Sequence, residues 1–125
     1  MILGLGIDFM EDGRVEQELA RALWQPEDGI FTAGEIAYCS STKRPARRYA
    51  ACFTAKEATL KALGVQVFDL ALFREVELEP ASDHGYEVSL HDRLKAASER
   101  LGVRHVKLSI AHSARQTGAI VILEG

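Results

Sequence analysis

Glu57 and Lys61 are the residues whose types and spacing point most directly to chemistry, since they lie four positions apart in residues 52–64. This segment has the pattern of the second half of a helix that begins near Pro45, a residue that suits a first helical position. Gly64 is suited to end the helix, because glycine tolerates the left-handed conformation at a helix C-terminus. Glu57 falls within an apolar stripe, where an unpaired carboxylate is costly. Its side chain therefore needs a cation.

Two different cations fit Glu57. The simpler one is Lys61, because a glutamate placed before a lysine at this spacing stabilises a helix by about 0.2–0.5 kcal/mol. The other is a metal ion held by Glu57 and a second carboxylate, which would leave Lys61 for a phosphate. Asp8 can supply that carboxylate, since it lies where the apolar run of the first predicted strand stops. Mg²⁺ commonly binds through one or two carboxylates plus substrate phosphates. The spacing alone leaves both interpretations open.

Length, charge and cysteine content narrow the class of protein. A chain of 125 residues predicts a single domain over 1–125. The net charge of −3 gives no basic field that would attract nucleic acid. Residues 2–5 are too short an apolar run for a signal peptide, and no run is long enough to span a membrane. Cys39 and Cys52 lack the spacing of a zinc site and are too few for a disulfide framework, so we expect reduced thiols in a cytoplasmic protein.

Two segments have the pattern of buried strands. In the predicted strand at residues 1–8, residues 2–7 are apolar or small on both sides of the alternation, and residues 119–123 are entirely apolar, so both strands are predicted to be buried on both faces. Gly4 and Gly6 lie inside the first strand, where we interpret them as points of close approach by another backbone. A nucleotide-binding fingerprint is rejected here, because its third glycine is missing.

The remaining pattern predicts a mixed α+β domain with a largely antiparallel sheet wrapped around a central helix at residues 45–63. Thr32 and Glu35 have the spacing of a capping box and predict a helix that starts after Thr32. Further helices are expected at residues 15–24 and 91–101, and further strands at residues 73–78, 86–90 and 105–111.

Four motifs follow one another along the whole chain. They are a Gly-x-Gly-x-Asp strand ending at Asp8, a Phe-Thr-x-x-Glu segment ending at Glu35, a Phe-x-x-Lys-Glu-Ala-x-x-Lys-Ala-x-Gly helix ending at Gly64, and a Ser-Ile-x-His strand ending at His112 with an Ala-x-Val-Ile-x-Glu strand after it. In these motifs and their order, the chain resembles the 4′-phosphopantetheinyl transferase superfamily, in its short holo-[acyl-carrier-protein] synthase form. The combination of Asp8 with the Lys-Glu helix is the most specific part of the resemblance.

The resemblance implies transfer of the phosphopantetheine arm of coenzyme A to a serine of an acyl carrier protein, with release of adenosine 3′,5′-bisphosphate. Asp8 and Glu57 would hold Mg²⁺, and together with Lys61 they would form the catalytic group. Coenzyme A would be contacted by Phe53, Lys61, Gly64 and His112. The base that accepts the serine proton is left open between Glu57 and a metal-bound water.

The resemblance also implies partners. Arg14 and Arg21, near the two ends of the first predicted helix, would meet acidic residues of the carrier protein. The family is typically homotrimeric with the site between subunits, so we expect a homotrimer, and we expect no nucleic-acid or membrane partner. A second interpretation from another class is a protein of this fold that binds a carrier protein or a nucleotide without transfer.

The chain departs from the family pattern near these residues. Ala51 and Cys52 stand where the family usually has Gly-Arg, and we predict that Arg48, one helical turn earlier, takes over the phosphate contact of that arginine. Val65 and Gln66 replace the usual residues after Gly64. Asp12 and Gly13 replace residues that normally continue the first helix.

Overall fold

A computed structural model of the chain describes residues 1–20, 29–82 and 85–125. The elements follow one another as β1 (Ile2–Glu11), α1 (Asp12–Ala20), α2 (Ala33–Ser40), α3 (Pro45–Leu63), α4 (Ala71–Arg74), β2 (Val76–Pro80), β3 (Tyr86–Leu90), α5 (Asp92–Leu101), β4 (His105–His112) and β5 (Gln116–Glu124). None of the helices within these three ranges is long and apolar enough to cross a membrane.

The strands form two antiparallel sheets. One has the order β1-β5-β4, and the other is the β2-β3 hairpin. α3 packs against β1 and β5 of the larger sheet and also contacts α1, α2 and β2. This arrangement confirms the predicted α+β fold with antiparallel strands around a central helix.

α3 is enclosed by the rest of the chain, as predicted for the central helix, since thirteen of its nineteen residues are buried. It begins at Pro45 and ends at Gly64, which has a φ of 70°. Gly4 and Gly6 of β1 lie directly against this helix, and a Cβ at either position would overlap the carbonyl oxygen of Ala62 or Ala58. The prediction that these glycines permit close backbone approach is therefore confirmed. The capping box of Thr32 and Glu35 is also present at the start of α2.

Three predicted boundaries were wrong. β1 continues to Glu11, so Asp8 lies inside the strand and not at its end. Phe73, the predicted start of a strand, belongs to α4, and β2 begins at Val76. The carbonyls of Phe73 and Val76, on either side of this boundary, both accept hydrogen bonds from Lys56. α1 begins at Asp12 and extends to Ala20, and residues 21–24 of the predicted helix lie outside the described residues.

One face of the larger sheet is uncovered in the single chain. Leu5, Ile7 and Phe9 of β1 are 61%, 48% and 66% exposed, and Ile120 of β5 is 38% exposed. The prediction that both strands are buried on both faces is therefore wrong for a single chain, because α3 covers only the opposite face. The outward side chains form an apolar surface, which we call the outer sheet face.

Candidate active site

Asp8 and Lys61 meet where β1 crosses α3. Because side chains alternate along a strand, Asp8 projects from the same side of β1 as Gly4 and Gly6, toward the helix. Nζ of Lys61 lies 2.8 Å from Oδ1 of Asp8 and donates a further hydrogen bond to the carbonyl of Ile7 at 3.2 Å. The other carboxylate oxygen, Oδ2 of Asp8, is buried and has no hydrogen-bond partner within the described part of the chain.

Glu57 lies next to this pair, one helical turn before Lys61. Its pKa is raised to about 8, first by burial and then by the neighbouring Asp8 carboxyl, while the charges of Lys61 and Arg14 oppose the rise. Among the described residues, the carboxylate that forms an ion pair with Lys61 is Asp8 and not Glu57. The simpler interpretation of the Glu57–Lys61 spacing, a helical ion pair, is therefore not what the structure contains.

A cavity of about 770 Å³ opens beside these groups, and its wall contains Glu57, Phe53 and Arg14. The ring of Phe53 stacks on that of Phe73, with 5.3 Å between centroids and 26° between planes. Among the described residues, apolar side chains share the wall with three glutamates and one arginine. A ligand with an apolar arm and an anionic end would need a cation between it and these carboxylates.

Sequence reasoning missed the role of Lys56, whose side chain is fully buried. Its Nζ lies 2.7 Å from Oε1 of Glu35, whose side chain is also fully buried, and it donates to the carbonyls of Phe73 and Val76 at 2.8 and 2.5 Å. Burial lowers the pKa of Lys56, while the Glu35 carboxylate opposes this shift. The pair joins two of the sequence motifs through the core. The sequence shows one opposite charge in each motif, but it does not show that the two side chains meet.

His112 lies at the end of β4 beside a different cavity, of about 330 Å³, which is also lined by Tyr86. Its Nδ1 is 2.8 Å from Oγ1 of Thr117. Partial burial of the imidazole and the charge of Arg47 lower the pKa of His112, and Asp12 opposes them. The structure therefore places His112 apart from the cavity that contains Glu57.

Three further residues were named from the sequence: Arg48, Cys52 and Arg21. Arg48 donates to the carbonyl of Tyr38 at 2.7 Å and to Oγ of Ser41 at 3.0 Å, and its guanidinium lies 4.2 Å above the Tyr38 ring. It thus contacts the C-terminal end of α2. Cys52 points into the core, where its Sγ is 3.6 Å from Sγ of Cys39. Arg21 lies outside the described residues.

The described residues contain no cluster of three or more His, Cys, Asp and Glu side chains able to hold a metal ion. Asp8 and Glu57 are therefore a pair of protein carboxylates that would need further ligands from water or a substrate. Such a donor set suits Mg²⁺, which keeps several waters and binds substrate phosphates.

The chain belongs to the 4′-phosphopantetheinyl transferase superfamily, which matches residues 4–119. It is 37% identical over 124 residues to the holo-[acyl-carrier-protein] synthase of Geobacter sp. (strain M21), with 99% of each chain covered. Its fold is similar to the crystal structure of holo-[acyl-carrier-protein] synthase from Neisseria meningitidis, with a TM-score of 0.86, 26% identity and all of both chains covered.

A second solved structure was determined with a ligand. The holo-(acyl-carrier-protein) synthase of Bacillus anthracis str. Ames, in complex with CoA (3′,5′-ADP), matches with a TM-score of 0.80 and 28% identity, covering 100% of this chain and 98% of that one. These findings confirm the family and the fold that the four motifs predicted.

Proposed function

We propose that this chain transfers the 4′-phosphopantetheine group of coenzyme A to a serine hydroxyl of an apo acyl carrier protein and releases adenosine 3′,5′-bisphosphate. The observation that carries the proposal is the group of Asp8, Glu57 and Lys61, two neighbouring carboxylates and a lysine beside a cavity. Full-length relatives with the name of this enzyme support it. Phosphoryl transfer depends mainly on positioning and on neutralising charge around the phosphates.

Asp8 and Glu57 fit a divalent cation. Oδ2 of Asp8 is buried without a hydrogen-bond partner among the described residues, and the pKa of Glu57 is raised in part by the Asp8 carboxyl. A positive charge between the two carboxyl groups would stabilise both ionised forms. We propose Mg²⁺ as this ion, which when bound would polarise the pyrophosphate of coenzyme A as a Lewis acid.

Lys61 is proposed to bind the phosphates of coenzyme A. Its side chain is 56% exposed although it contacts Asp8, so it can reach a ligand while it keeps this contact. Phe53, stacked on Phe73, offers the ligand an apolar surface in the same cavity as Glu57. The space beside Gly64, where α3 ends, is open and would let a ligand approach the backbone.

His112 and Arg48 are proposed as further coenzyme A contacts, and a second copy of the chain would bring them to the ligand. His112 lines its own cavity in the single chain, and Arg48 would have to exchange the carbonyl of Tyr38 for a phosphate. A homotrimer with sites between subunits accounts for this separation. The outer sheet face supports it, because large exposed apolar surfaces commonly mark interfaces. Sedimentation equilibrium would give the mass of the assembly directly.

Arg14 is proposed to meet acidic residues of the carrier protein, together with Arg21, whose position lies outside the described residues. Arg14 lines the cavity that contains Glu57, so a carrier bound there would present its serine near the carboxylates. The reaction would take place in the cytoplasm, with residues 1–125 acting as one domain.

The direct test is to incubate the protein with coenzyme A and several apo acyl carrier proteins, with and without Mg²⁺, and to weigh each carrier by mass spectrometry. The proposal expects a gain equal to the phosphopantetheine group on at least one carrier, and only with the metal present. Binding of coenzyme A with no gain in mass on any carrier would support the second interpretation, a protein of this fold that binds without transfer.

A further inference from the structure

A chain of hydrogen bonds connects His112 to the start of α1. Nδ1 of His112 is 2.8 Å from Oγ1 of Thr117, and the same hydroxyl donates to Oδ1 of Asp12, also at 2.8 Å. Thr117 is fully buried, whereas the side chain of Asp12 is 17% exposed. The backbone N–H of Asp12 also donates to the carbonyl of Arg115 at 2.9 Å. The turn between β4 and β5 is thus fixed against the first residue of α1.

The direction of these bonds determines where the proton of His112 lies. An ionised carboxylate can only accept, so Thr117 must donate its one hydroxyl proton to Asp12. Oγ1 of Thr117 can then only accept from the imidazole. His112 must therefore carry a proton on Nδ1, and in the neutral ring its Nε2 is left without a proton.

We propose that Thr117 and Asp12 are positioning residues, which hold the first proton of His112 on Nδ1, so that the second proton of the imidazolium lies on Nε2 and is donated to a phosphate of coenzyme A. This rests on the proposed function, in which His112 contacts coenzyme A. When the ring takes up a second proton, Nδ1 still donates to Thr117, and Nε2 becomes a charged donor to the phosphate. Charge-assisted hydrogen bonds of this kind are about twice as strong as neutral ones.

Arg47 contributes to the same arrangement from α3. Its guanidinium donates to the carbonyl of Ser113, the residue after His112, at 2.6 Å, and its Nε is 3.9 Å from Oδ2 of Asp12. Asp12 therefore lies between Thr117 and Arg47. Asp12 is also one of the residues at which the chain departs from the family pattern, so the arrangement follows from this chain's own residues.

The tautomer can be measured directly. In full-length protein labelled with ¹⁵N in its histidines, long-range ¹H–¹⁵N correlation spectra at high pH identify the protonated nitrogen of each ring, and His112→Gln assigns the His112 signals by their loss. We expect Nδ1–H in the wild type. Thr117→Val should shift His112 toward the Nε2–H form, and Thr117→Ser should restore Nδ1–H.

Coenzyme A titrations test the consequence for binding. Thr117→Val removes the acceptor of Nδ1–H, so the imidazolium that donates to the phosphate is less stable. Coenzyme A binding should weaken by about fivefold to tenfold, the size expected for one hydrogen bond, and Thr117→Ser should recover most of this loss. Adding Thr117→Val to His112→Gln should cost little more, because the hydroxyl acts through the ring. Thr59→Val is the matched control, since it removes a buried hydroxyl that donates to the carbonyl of Ala55 within α3.

Two results overturn the proposal, and they can be distinguished. If the wild-type ring carries its proton on Nε2, or if Thr117→Val leaves the tautomer unchanged, the positioning role is wrong and the proposed function is untouched. If the tautomer shifts but His112→Gln binds coenzyme A as tightly as the wild type, the contact between His112 and coenzyme A is wrong. A purely structural role for Thr117 would lower the melting temperature with no change of tautomer.

Discussion

Two lysines of α3 contact carboxylates in opposite surroundings. Lys56 and Glu35 are both fully buried, 2.7 Å apart, and backbone groups satisfy the rest of each side chain. Lys61 is 56% exposed and pairs with Asp8, which keeps one buried oxygen without a partner among the described residues. A saturated pair in the core can bind nothing further and serves the fold. An open pair with unused bonding capacity is where a ligand can bind.

The largest expected effect comes from breaking the buried pair. Lys56→Met leaves the Glu35 carboxylate buried without its cation, which should lower the free energy of unfolding by about 3–5 kcal/mol. Lys61→Met should lower it by less, about 1–2 kcal/mol, because the Lys61 side chain is 56% exposed, although that of Asp8 is only 12% exposed. Chemical denaturation of both variants measures the difference. If both variants lost the same free energy of unfolding, the two ion pairs would not differ in the way described. If Lys56→Met does not fold, Lys56→Arg provides a variant that keeps the charge.

Arg14 lines the cavity that contains Glu57. We expect this residue to act on the binding of the carrier protein and not on the stability of the fold. Arg14→Glu should weaken binding of the carrier protein by about tenfold, mostly through slower, salt-dependent association, since rim charges act in this way. Coenzyme A binding should weaken by clearly less than this, although Arg14 lines the same cavity as Phe53 and Glu57. Arg100→Glu, an exposed reversal at the end of α5, is the matched control. An equal loss of affinity for coenzyme A would show that Arg14 acts inside the ligand site.

The carboxyl group of Glu57 should have a smaller effect on the free energy of unfolding, and this effect depends on pH. Its pKa is about 8 in the folded protein against an ordinary 4.5, so the unfolded chain loses this proton first as the pH rises. The free energy of unfolding of the metal-free protein should therefore fall between about pH 4.5 and pH 8. Glu57→Gln should remove this slope and stabilise the metal-free protein at pH 8 by ~1 kcal/mol, a few degrees in melting temperature.

The control for this prediction is Glu99→Gln, an exposed position on α5. At pH 4 the difference between wild type and Glu57→Gln should disappear. Mg²⁺ should stabilise the wild type at pH 8 and have less effect on Glu57→Gln, because a ligand stabilises only the state that binds it. A wild-type stability that rises between pH 5 and pH 8 without metal would contradict the raised pKa of Glu57.

Local signals predicted much of the fold. Pro45 and Gly64 set the ends of α3, and Thr32 with Glu35 set the start of α2, because each depends on the conformation or the hydrogen bonds of a few neighbouring residues. The role of Gly4 and Gly6 could also be predicted, since a glycine inside a strand often marks a place where another backbone comes close. The family motifs then named Asp8 and Glu57 as partners across residues distant in the sequence.

Contacts between distant residues were the part that the sequence could not supply. The bond from Lys56 to Glu35, and that from Thr117 to Asp12, depend on how α3 and β5 are placed against other elements. Alternation of apolar residues shows that a strand has two apolar faces, but not what covers each one. The outer sheet face was therefore predicted to be buried, although a single chain leaves it exposed.

The central claim is that Asp8 and Glu57 act together on one metal ion. Carrier modification by Asp8→Ala, Glu57→Ala and the double variant measures it, with circular dichroism as the check on folding. Each single change should lower the rate by about a hundredfold or more, since a Lewis acid supplies several kcal/mol. The double variant should be little slower than the slower single variant, as for residues that act as a unit. A double variant that loses the product of the two single losses would show that the carboxylates do not share a metal.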